Sequence, residues 1–404
     1  MPDPTTYDVS AVRAHFPALV GGAAHFDGPG GSQTPDVVAR AIHDTLVRPL
    51  SNRGSLTAAE RNADAAVTGA RAALGDLLGA DPDGIVFGRS MTQLTFDLAR
   101  TMAKDWGPGD EVVVTRLDHD ANVRPWVIAA EAVGATVRWA SFDAATGELD
   151  PAAIEDLVSE RTRLVAVTGA SNLIGTRPDL RAIADAVHRA GALFYVDAVH
   201  LTAHASVDLG ATGADLLACS PYKFLGPHCG VLAGRTEVLD GLRPDKLMPS
   251  SDRVPERFEL GTLPYELMAG TTAAVDFLAA LVPGNGTRRE GLVRSMAALE
   301  EHEDRLRGRV EEGLRQLPGV TLWSRAARRT PTLLVTFEGH GAREVSAHLA
   351  SYDVNAPAGS FYAYEAARVL GLDDEGGLRI GLAPYTDDGD VDRLLEALAS
   401  LFAA

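Results

Sequence analysis

The sequence predicts an α/β protein built around a mostly parallel sheet. Three short apolar runs in the middle of the chain indicate this fold class, over Ala192–Val196, Asp215–Cys219 and Val231–Ala233. Apolar runs bounded by turn residues are typical of strands that are buried on both faces. Because ligand sites in such sheets lie beyond the carboxyl ends of the strands, polar side chains that follow these runs are expected to converge there.

Polar residues do follow these runs. Asp197 ends the first run, and Ser220 and Lys223 come after the second. Of 37 basic residues, only Lys104, Lys223 and Lys246 are lysines. Arginine cannot form a Schiff base, so an amine nucleophile has these three candidates. Lys104 ends an amphipathic helix and Lys246 lies in a polar loop, whereas Lys223 alone follows a buried strand and precedes a glycine turn.

Lys223 and Asp197 together suit the cofactor pyridoxal 5'-phosphate (PLP). PLP needs a lysine for a Schiff base and an acidic group that keeps its ring nitrogen protonated. A purely structural alternative is a lysine at a strand end that forms a salt bridge with Asp197.

Three motifs resemble those of the class V aminotransferase group of fold-type I PLP enzymes. They are DAVH at 197–200, CSPYKFLGPH at 219–228 and ELGTLPYE at 259–266. The group includes cysteine desulfurases, isopenicillin-N-epimerase-like proteins and kynureninase, and similar motifs run from about Phe26 to Tyr385. The resemblance implies a large PLP-binding domain, residues 20–285, with a central, mostly parallel seven-stranded sheet. It also implies a small α+β domain formed by residues 1–19 and 286–404.

Composition narrows the possible partners and compartment. The formal net charge of −18 argues against a nucleic-acid or membrane-surface partner, since both are anionic. The two cysteines, Cys219 and Cys229, suit a reducing cytoplasm. The N-terminus shows no signal-peptide pattern, and no apolar run approaches the roughly 20 residues that span a bilayer. We therefore predict a cytoplasmic protein.

Apolar periodicity predicts the elements of the large domain in order. A first helix covers Tyr7–Leu19, with Ser10 as its N-cap. Further helices are expected over Pro35–Leu46, Ala58–Leu78, Gln93–Ala103, Asp150–Leu157, Asp179–Ala190 and Leu267–Leu281. Strands are expected over Ile85–Phe87, Glu111–Thr115, Thr136–Ala140 and Leu164–Thr168, in addition to the three central runs.

The pattern changes from about Glu290, where helices and shorter strands alternate. Helices are expected over Val293–Gln316, Ala342–Ala350, Tyr362–Leu370 and Val391–Leu401. Strands are expected over Val320–Trp323, Leu333–Phe337 and Leu378–Leu382, with another near Val354.

The predicted phosphate site lies where strand Ile85–Phe87 turns into a helix. Such a junction offers free backbone N–H groups and the positive end of the helix dipole. The resemblance implies that Met91 and Thr92 hold the phosphate there, and that Ser220 and Tyr222 also contact it. The alternative for Thr92 is a helix cap only. The resemblance further implies that Thr262 donates to the phosphate of the neighbouring subunit, so the protein is predicted to be a homodimer.

The resemblance also assigns the groups around the cofactor ring. His119 is implied to stack on the ring, Asn172 to lie beside its 3-oxygen and the substrate carboxylate, and His200 to bond the 3-oxygen. Arg379 is implied to bind the substrate carboxylate, so the predicted substrate is an amino acid, and the turn around Gly30 lies near it. For His119 and Asn172 a structural role is the alternative, and for Arg379 a surface position. We assign no metal ligand.

One feature departs from the desulfurase pattern. Desulfurases carry a nucleophilic cysteine on a mobile loop of the small domain, but the matching stretch, residues 353–362, contains none. Persulfide chemistry is therefore not expected. A lyase that eliminates at Cβ, of the C–S type, fits best, and an aminotransferase, an epimerase or a non-catalytic PLP-fold binding module are the alternatives. Phe361 and Tyr362 are expected to close over a bulky or apolar substrate side chain, or else to pack in the small domain.

Overall fold

The computed structural model describes residues 7–372 and 375–402, so the outer limits of the predicted small domain, residues 1 and 404, lie outside it. Its strands are β1 (Ala24–His25), β2 (Ile85–Gly88), β3 (Glu111–Thr115), β4 (Thr136–Ala140), β5 (Thr162–Thr168), β6 (Leu193–Asp197), β7 (Leu216–Cys219), β8 (Gly230–Gly234), β9 (Val320–Leu322), β10 (Thr332–Phe337), β11 (Val354–Asn355), β12 (Ala358–Gly359) and β13 (Gly377–Gly381).

Helices flank these strands along the whole described chain. They are α1 (Val9–Arg13), α2 (Asp36–Val47), α3 (Ala58–Leu78), α4 (Met91–Met102), α5 (Arg124–Ala132), α6 (Pro151–Glu155), α7 (Leu180–Arg189), α8 (Leu209–Thr212), α9 (Thr236–Gly241), α10 (Tyr265–Ala279), α11 (Arg288–Arg315), α12 (Ala342–Ala350), α13 (Tyr364–Val369) and α14 (Asp388–Leu401). None of the described helices is both long and apolar enough to cross a membrane.

The central sheet has seven strands in the order β2-β8-β7-β6-β5-β3-β4. Strands β4, β3, β5, β6 and β7 are parallel, whereas β8 is antiparallel to both of its neighbours. The predicted α/β fold with a mostly parallel seven-stranded sheet is therefore confirmed. Strands β6 and β7 are almost completely buried, as expected for strands covered by helices on both faces.

Sheet register brings the predicted site residues together. Asp197 at the end of β6 pairs with Thr168 at the end of β5 and with Ala218 of β7. Ser220 directly follows β7, and a single helical turn, Pro221–Lys223, comes next. These residues therefore share the edge formed by the carboxyl ends of the parallel strands.

A second sheet of four strands, in the order β12-β13-β10-β9, lies in the C-terminal part of the chain. It is antiparallel throughout, and α11, α12 and α14 contribute to its apolar core. The strand near Val354 pairs instead with β1, at Ala24 and His25. The division into two domains at residues 20 and 285 stays a prediction.

Three expectations about local structure are wrong. The first helix covers only Val9–Arg13, and Asp8, not Ser10, caps it by accepting from the amide of Ala11. Residues Pro17–Gly21 form a separate turn of 3₁₀ helix, because Phe16 leaves helical geometry before the proline. Helix α13 begins at Tyr364 rather than Tyr362. Phe361 and Tyr362 have φ angles of 53° and 60°, which a right-handed helix cannot contain. The short strand β12 was not predicted.

Candidate active site

A cavity of about 650 Å³ opens at the carboxyl ends of the parallel strands. This volume is typical of small-molecule sites, about 300–1,000 Å³. Every predicted site residue but one lines it: Gly30, Met91, Thr92, His119, Asn172, Asp197, His200, Ser220, Tyr222, Lys223, Tyr362 and Arg379. The exception is Thr262, which is exposed on the surface of the chain.

Lys223 has the surroundings expected of an amine nucleophile. Its Nζ donates to the backbone carbonyl of Pro29, and no described carboxylate lies within salt-bridge distance. The alternative role of Lys223, a purely structural salt bridge with Asp197, is therefore wrong. Burial, together with the nearby charge of Arg379, lowers the pKa of Lys223 to about 7. By contrast, Lys104 and Lys246 form ion pairs with Asp245 and Asp252 at 2.7 and 3.0 Å.

Asp197 lies buried at the end of β6, with 5% of its surface exposed. Its Oδ1 accepts a hydrogen bond from the amide of Val199 at 2.9 Å, which fixes the carboxylate toward the cavity edge. Burial raises the pKa of Asp197 to about 6. A protonated ring nitrogen of PLP beside Asp197 would favour its ionised carboxylate, since an opposite charge lowers the pKa of a carboxyl group.

The N-terminus of α4 forms the predicted phosphate end. Ser90, not Thr92, is the N-cap, and its hydroxyl accepts from the amide of Gln93 at 3.1 Å. The alternative that Thr92 is a cap is therefore wrong. The helix gives no internal partner to the amides of Met91 and Thr92. Gly230 on β8 permits this arrangement, because a Cβ there would lie 2.2 Å from the backbone of Ser90.

His119 lies in the loop after β3. Its Nδ1 accepts a hydrogen bond from the amide of Ala121 at 3.0 Å, so the ring carries its proton on Nε2. Burial, with the charge of Lys223, lowers the pKa of His119 to about 4, and the ring is therefore neutral near pH 7. A flat neutral ring fixed at one nitrogen suits stacking on an aromatic cofactor.

Arg379 and Asn172 form the opposite wall of the cavity. Arg379 is 2% exposed, and its Nη1 donates to the backbone carbonyl of Asn172 at 3.0 Å. The predicted alternative of a surface arginine is therefore wrong. Two buried polar atoms here, Nε of Arg379 and Oδ1 of Asn172, have no hydrogen-bond partner among the described residues. Buried polar atoms are normally hydrogen-bonded, so these two are unusual in the wall.

His200 reaches the cavity from a buried polar cluster. Its Nε2 is bonded to the hydroxyls of Thr330 and Thr332 at 3.0 and 2.9 Å, so only Nδ1 is left for a ligand. Behind it, His204 pairs with the buried Glu303 at 2.9 Å. This pair could not be predicted from the sequence, because Glu303 lies on the distant helix α11.

Further residues of the site were missed by the sequence reasoning. Asp118 is buried beside Asp197, and it accepts from the side chains of Thr115 and Asn122. Burial raises its pKa to about 8. In the sequence, the position of Asp118 directly before His119 could have indicated its place near the site. Asp120, Arg124 and Phe96 line the cavity itself, whereas Asp118 does not.

Both cysteines lie outside the cavity wall. Cys219 on β7 and Cys229 before β8 are buried, with no more than 2% of their surface exposed. Burial raises the pKa of both thiols, that of Cys229 to about 11. Neither side chain lines the cavity.

Comparison with known proteins identifies this arrangement. The family Aminotransferase class-V matches residues 24–394. The uncharacterized protein MT3887 of Mycobacterium tuberculosis (strain CDC 1551 / Oshkosh) is 37% identical over 399 residues, which cover 98% of this chain and 99% of that protein. The cysteine desulfurase of Dickeya dadantii is 30% identical over 414 residues, covering 97% and 96%. The crystal structure of the cysteine desulfurase CsdA from Escherichia coli superposes with a TM-score of 0.87 at 26% identity, covering 98% and 99%.

Fold and cavity thus define a fold-type I PLP-dependent enzyme. The chain belongs to the class V aminotransferase family. Members of this family bind PLP and act on amino-acid substrates, so the predicted cofactor is confirmed. The residues present fit the cofactor, since Lys223, Asp197, His119 and the N-terminus of α4 face one cavity. The roles of the individual residues stay predictions.

Proposed function

We propose that this protein is a PLP-dependent lyase that cleaves a Cβ–S bond of an α-amino acid and releases a thiol, pyruvate and ammonia. The observation that supports elimination over desulfuration is the position of the cysteines. In a desulfurase a mobile cysteine takes up the sulfur, whereas Cys219 and Cys229 are buried away from the cavity. Chemistry at Cα and Cβ needs no such thiol.

The α-carboxylate of the substrate would bind Arg379. Among the described residues Arg379 forms no salt bridge, and its Nε lacks a partner. Burial lowers its pKa to about 9, which leaves it charged near pH 7. A buried guanidinium without an ion-pair partner favours a carboxylate ligand, because such a ligand satisfies its remaining donors and its charge. Asn172 lies beside it and would fix the same carboxylate.

Lys223 would remove the proton from Cα. When bound, PLP supplies the electron sink that stabilises negative charge at that carbon. An amine with a pKa of about 7 is suited to accept a proton near neutral pH. The Cβ–S bond then breaks, the electron pair leaves with sulfur, and the thiolate takes up a proton. Hydrolysis of the remaining three-carbon unit gives pyruvate and ammonia.

Asp197 would hold the countercharge for the ring nitrogen, and His119 would cover one face of the ring. Both are fixed by hydrogen bonds from backbone amides, those of Val199 and Ala121. Preorganised groups of this kind need no rearrangement during the reaction, which is the condition for efficient electrostatic stabilisation.

Transamination and epimerisation are the alternative reactions of the same site. One experiment separates them from elimination: holoenzyme is incubated with a panel of L-amino acids in deuterated water. Elimination predicts pyruvate and ammonia from S-substituted cysteines. Accumulation of pyridoxamine phosphate with a 2-oxo acid would instead establish transamination, and deuterium at Cα with loss of optical purity would establish epimerisation. If none of the amino acids reacts, the remaining alternative is a non-catalytic PLP-fold binding module.

A further inference from the structure

The segment that replaces the desulfurase loop is fastened across the cavity. We call Ser360–Tyr362 the roof segment. The carbonyl of Phe361 accepts from Nδ2 of Asn172 at 2.9 Å, and the carbonyl of Tyr362 accepts from the amide of Asp120 at 2.8 Å. The preceding strand β12 pairs with β13, at Leu378 and Gly377. The roof segment is thus held from three directions, unlike a mobile arm.

These hydrogen bonds hold an uncommon backbone. Phe361 and Tyr362 both have φ in the left-handed region, at 53° and 60°. Such a conformation costs on the order of 1–3 kcal/mol for each residue that is not glycine, and it persists only where the surroundings fix it. Consecutive residues in this conformation at a cavity indicate that the positions of their two rings matter for function.

The two rings lie against cavity residues with predicted roles. Phe361 covers the guanidinium of Arg379, with its ring centre 3.6 Å from Cζ. The ring of Tyr362 lies 5.5 Å from that of His119. Tyr362 is nevertheless 76% exposed, so it does not belong to the core of the small sheet. The alternative that this ring simply packs in the small domain is not what the structure shows.

The wall of the cavity beside the roof segment carries no net charge. Asp120, whose amide donates to the carbonyl of Tyr362, and the apolar Ala121 lie there. The charged residues there are Asp120 and Arg124, which bond to each other at 2.9 Å from Oδ1 to Nη2. Because their charges cancel, this wall favours neither an acidic nor a basic substrate side chain.

Resting on the proposed elimination, we infer that the roof segment selects L-cysteine derivatives whose sulfur carries a bulky uncharged group. That group packs beneath Tyr362 and against Ala121. Phe361 holds Arg379 in place for the carboxylate at the other end of the substrate.

Binding to the holoenzyme tests this substrate class. S-benzyl-L-cysteine, S-carboxymethyl-L-cysteine and S-(2-aminoethyl)-L-cysteine are compared by stopped-flow change of the cofactor absorbance, before product accumulates. The benzyl derivative is expected to bind at least about tenfold more tightly than either charged one, as burial of one aromatic side chain allows. Equal or tighter binding of a charged derivative overturns the inference.

Matched variants assign the preference to the roof segment. Tyr362→Ala should remove most of the preference for the benzyl group, and Tyr362→Phe should keep it. Tyr364→Ala is the control, since Tyr364 is 45% exposed and does not line the cavity. An unchanged preference in Tyr362→Ala, with thermal unfolding like that of the wild type, overturns the role of the roof segment.

Failure of this inference and failure of the proposed function give different results. Tight binding of the benzyl derivative without pyruvate would contradict elimination and leave the substrate class standing. Pyruvate from the charged derivatives at equal efficiency would support elimination and contradict the substrate class.

Discussion

The ring of Phe361 lies over the guanidinium of Arg379, with 3.6 Å between the ring centre and Cζ. This contact covers one face of the guanidinium and leaves Nη2 for a ligand, since Nη1 donates to Asn172. Phe361 is in turn held by Asn172, whose backbone carbonyl accepts from Arg379. The three residues therefore form one unit, in which the roof segment and the predicted carboxylate site are coupled.

Arg379→Ala should raise KM by about 10–100-fold, because a hydrogen bond to a charged group contributes about 1.5–3 kcal/mol. Cofactor content should stay as in the wild type. Steady-state kinetics and the PLP absorbance measure the two effects. Arg368→Ala serves as control, since Arg368 is an exposed arginine of the nearby helix α13. If amines without a carboxylate react equally well with the wild type, Arg379 does not have this role.

Lys223→Ala should lose the absorbance band that PLP gives when attached to the protein, and should lose activity. The matched controls are Lys104→Ala and Lys246→Ala, since both lysines form surface ion pairs. A band that persists in Lys223→Ala, or that disappears in a control variant, would place the attachment elsewhere.

Attachment of PLP to the apoprotein should depend on pH in a characteristic way. The neutral amine attacks the cofactor aldehyde, and burial lowers the pKa of Lys223 to about 7. The rate should therefore rise between about pH 6 and 8 and level off above the pKa, whereas an ordinary lysine titrates near 10.4. A rate that still increases steeply from pH 8 to 10 would show that the amine is not perturbed.

Asp197→Ala should weaken cofactor retention and reduce turnover by about a hundredfold or more, the usual effect of removing a preorganised electrostatic partner. Asp118→Asn is the informative comparison. Burial raises the pKa of Asp118 to about 8, so the neutral amide, which has nearly the same shape, is expected to cost less there than at Asp197. Equal losses in both variants would mean that Asp197 acts only through the local structure.

The sequence predicted the regular parts of this protein well. Helix Ala58–Leu78 and strand Glu111–Thr115 have the predicted bounds. Their apolar patterns are complete within each segment, so no distant contact is needed to define them. The site residues at strand ends were found for a similar reason, since sheet topology alone brings Asp197 and Ser220 to one edge.

The parts that the sequence did not predict depend on distant partners. Asn172 holds the roof segment across 189 positions of the chain. No residue near Phe361 in the sequence predicts its left-handed conformation. The pair His204–Glu303 spans 99 positions and joins a loop of the central region to α11. Thr262 is exposed in the single chain, so its predicted role in a neighbouring site depends on a second subunit.

Thr262→Ala should lower PLP affinity if a second subunit completes the site, because the phosphate loses one donor. Equilibrium dialysis of PLP, together with sedimentation, checks affinity and oligomeric state. Thr236→Ala at the start of α9 is a control. A monomeric holoenzyme with full PLP affinity would contradict the predicted homodimer.

The most direct test of the proposed chemistry is a protein without cysteine. The Cys219→Ala/Cys229→Ala double variant, checked by thermal unfolding, is given an S-substituted L-cysteine, and pyruvate and protein-bound persulfide are both measured. Elimination needs no protein thiol, so pyruvate should form at a rate close to that of the wild type, and neither protein should carry persulfide. Loss of pyruvate formation in a folded double variant, or persulfide on the wild type alone, would contradict the proposed function.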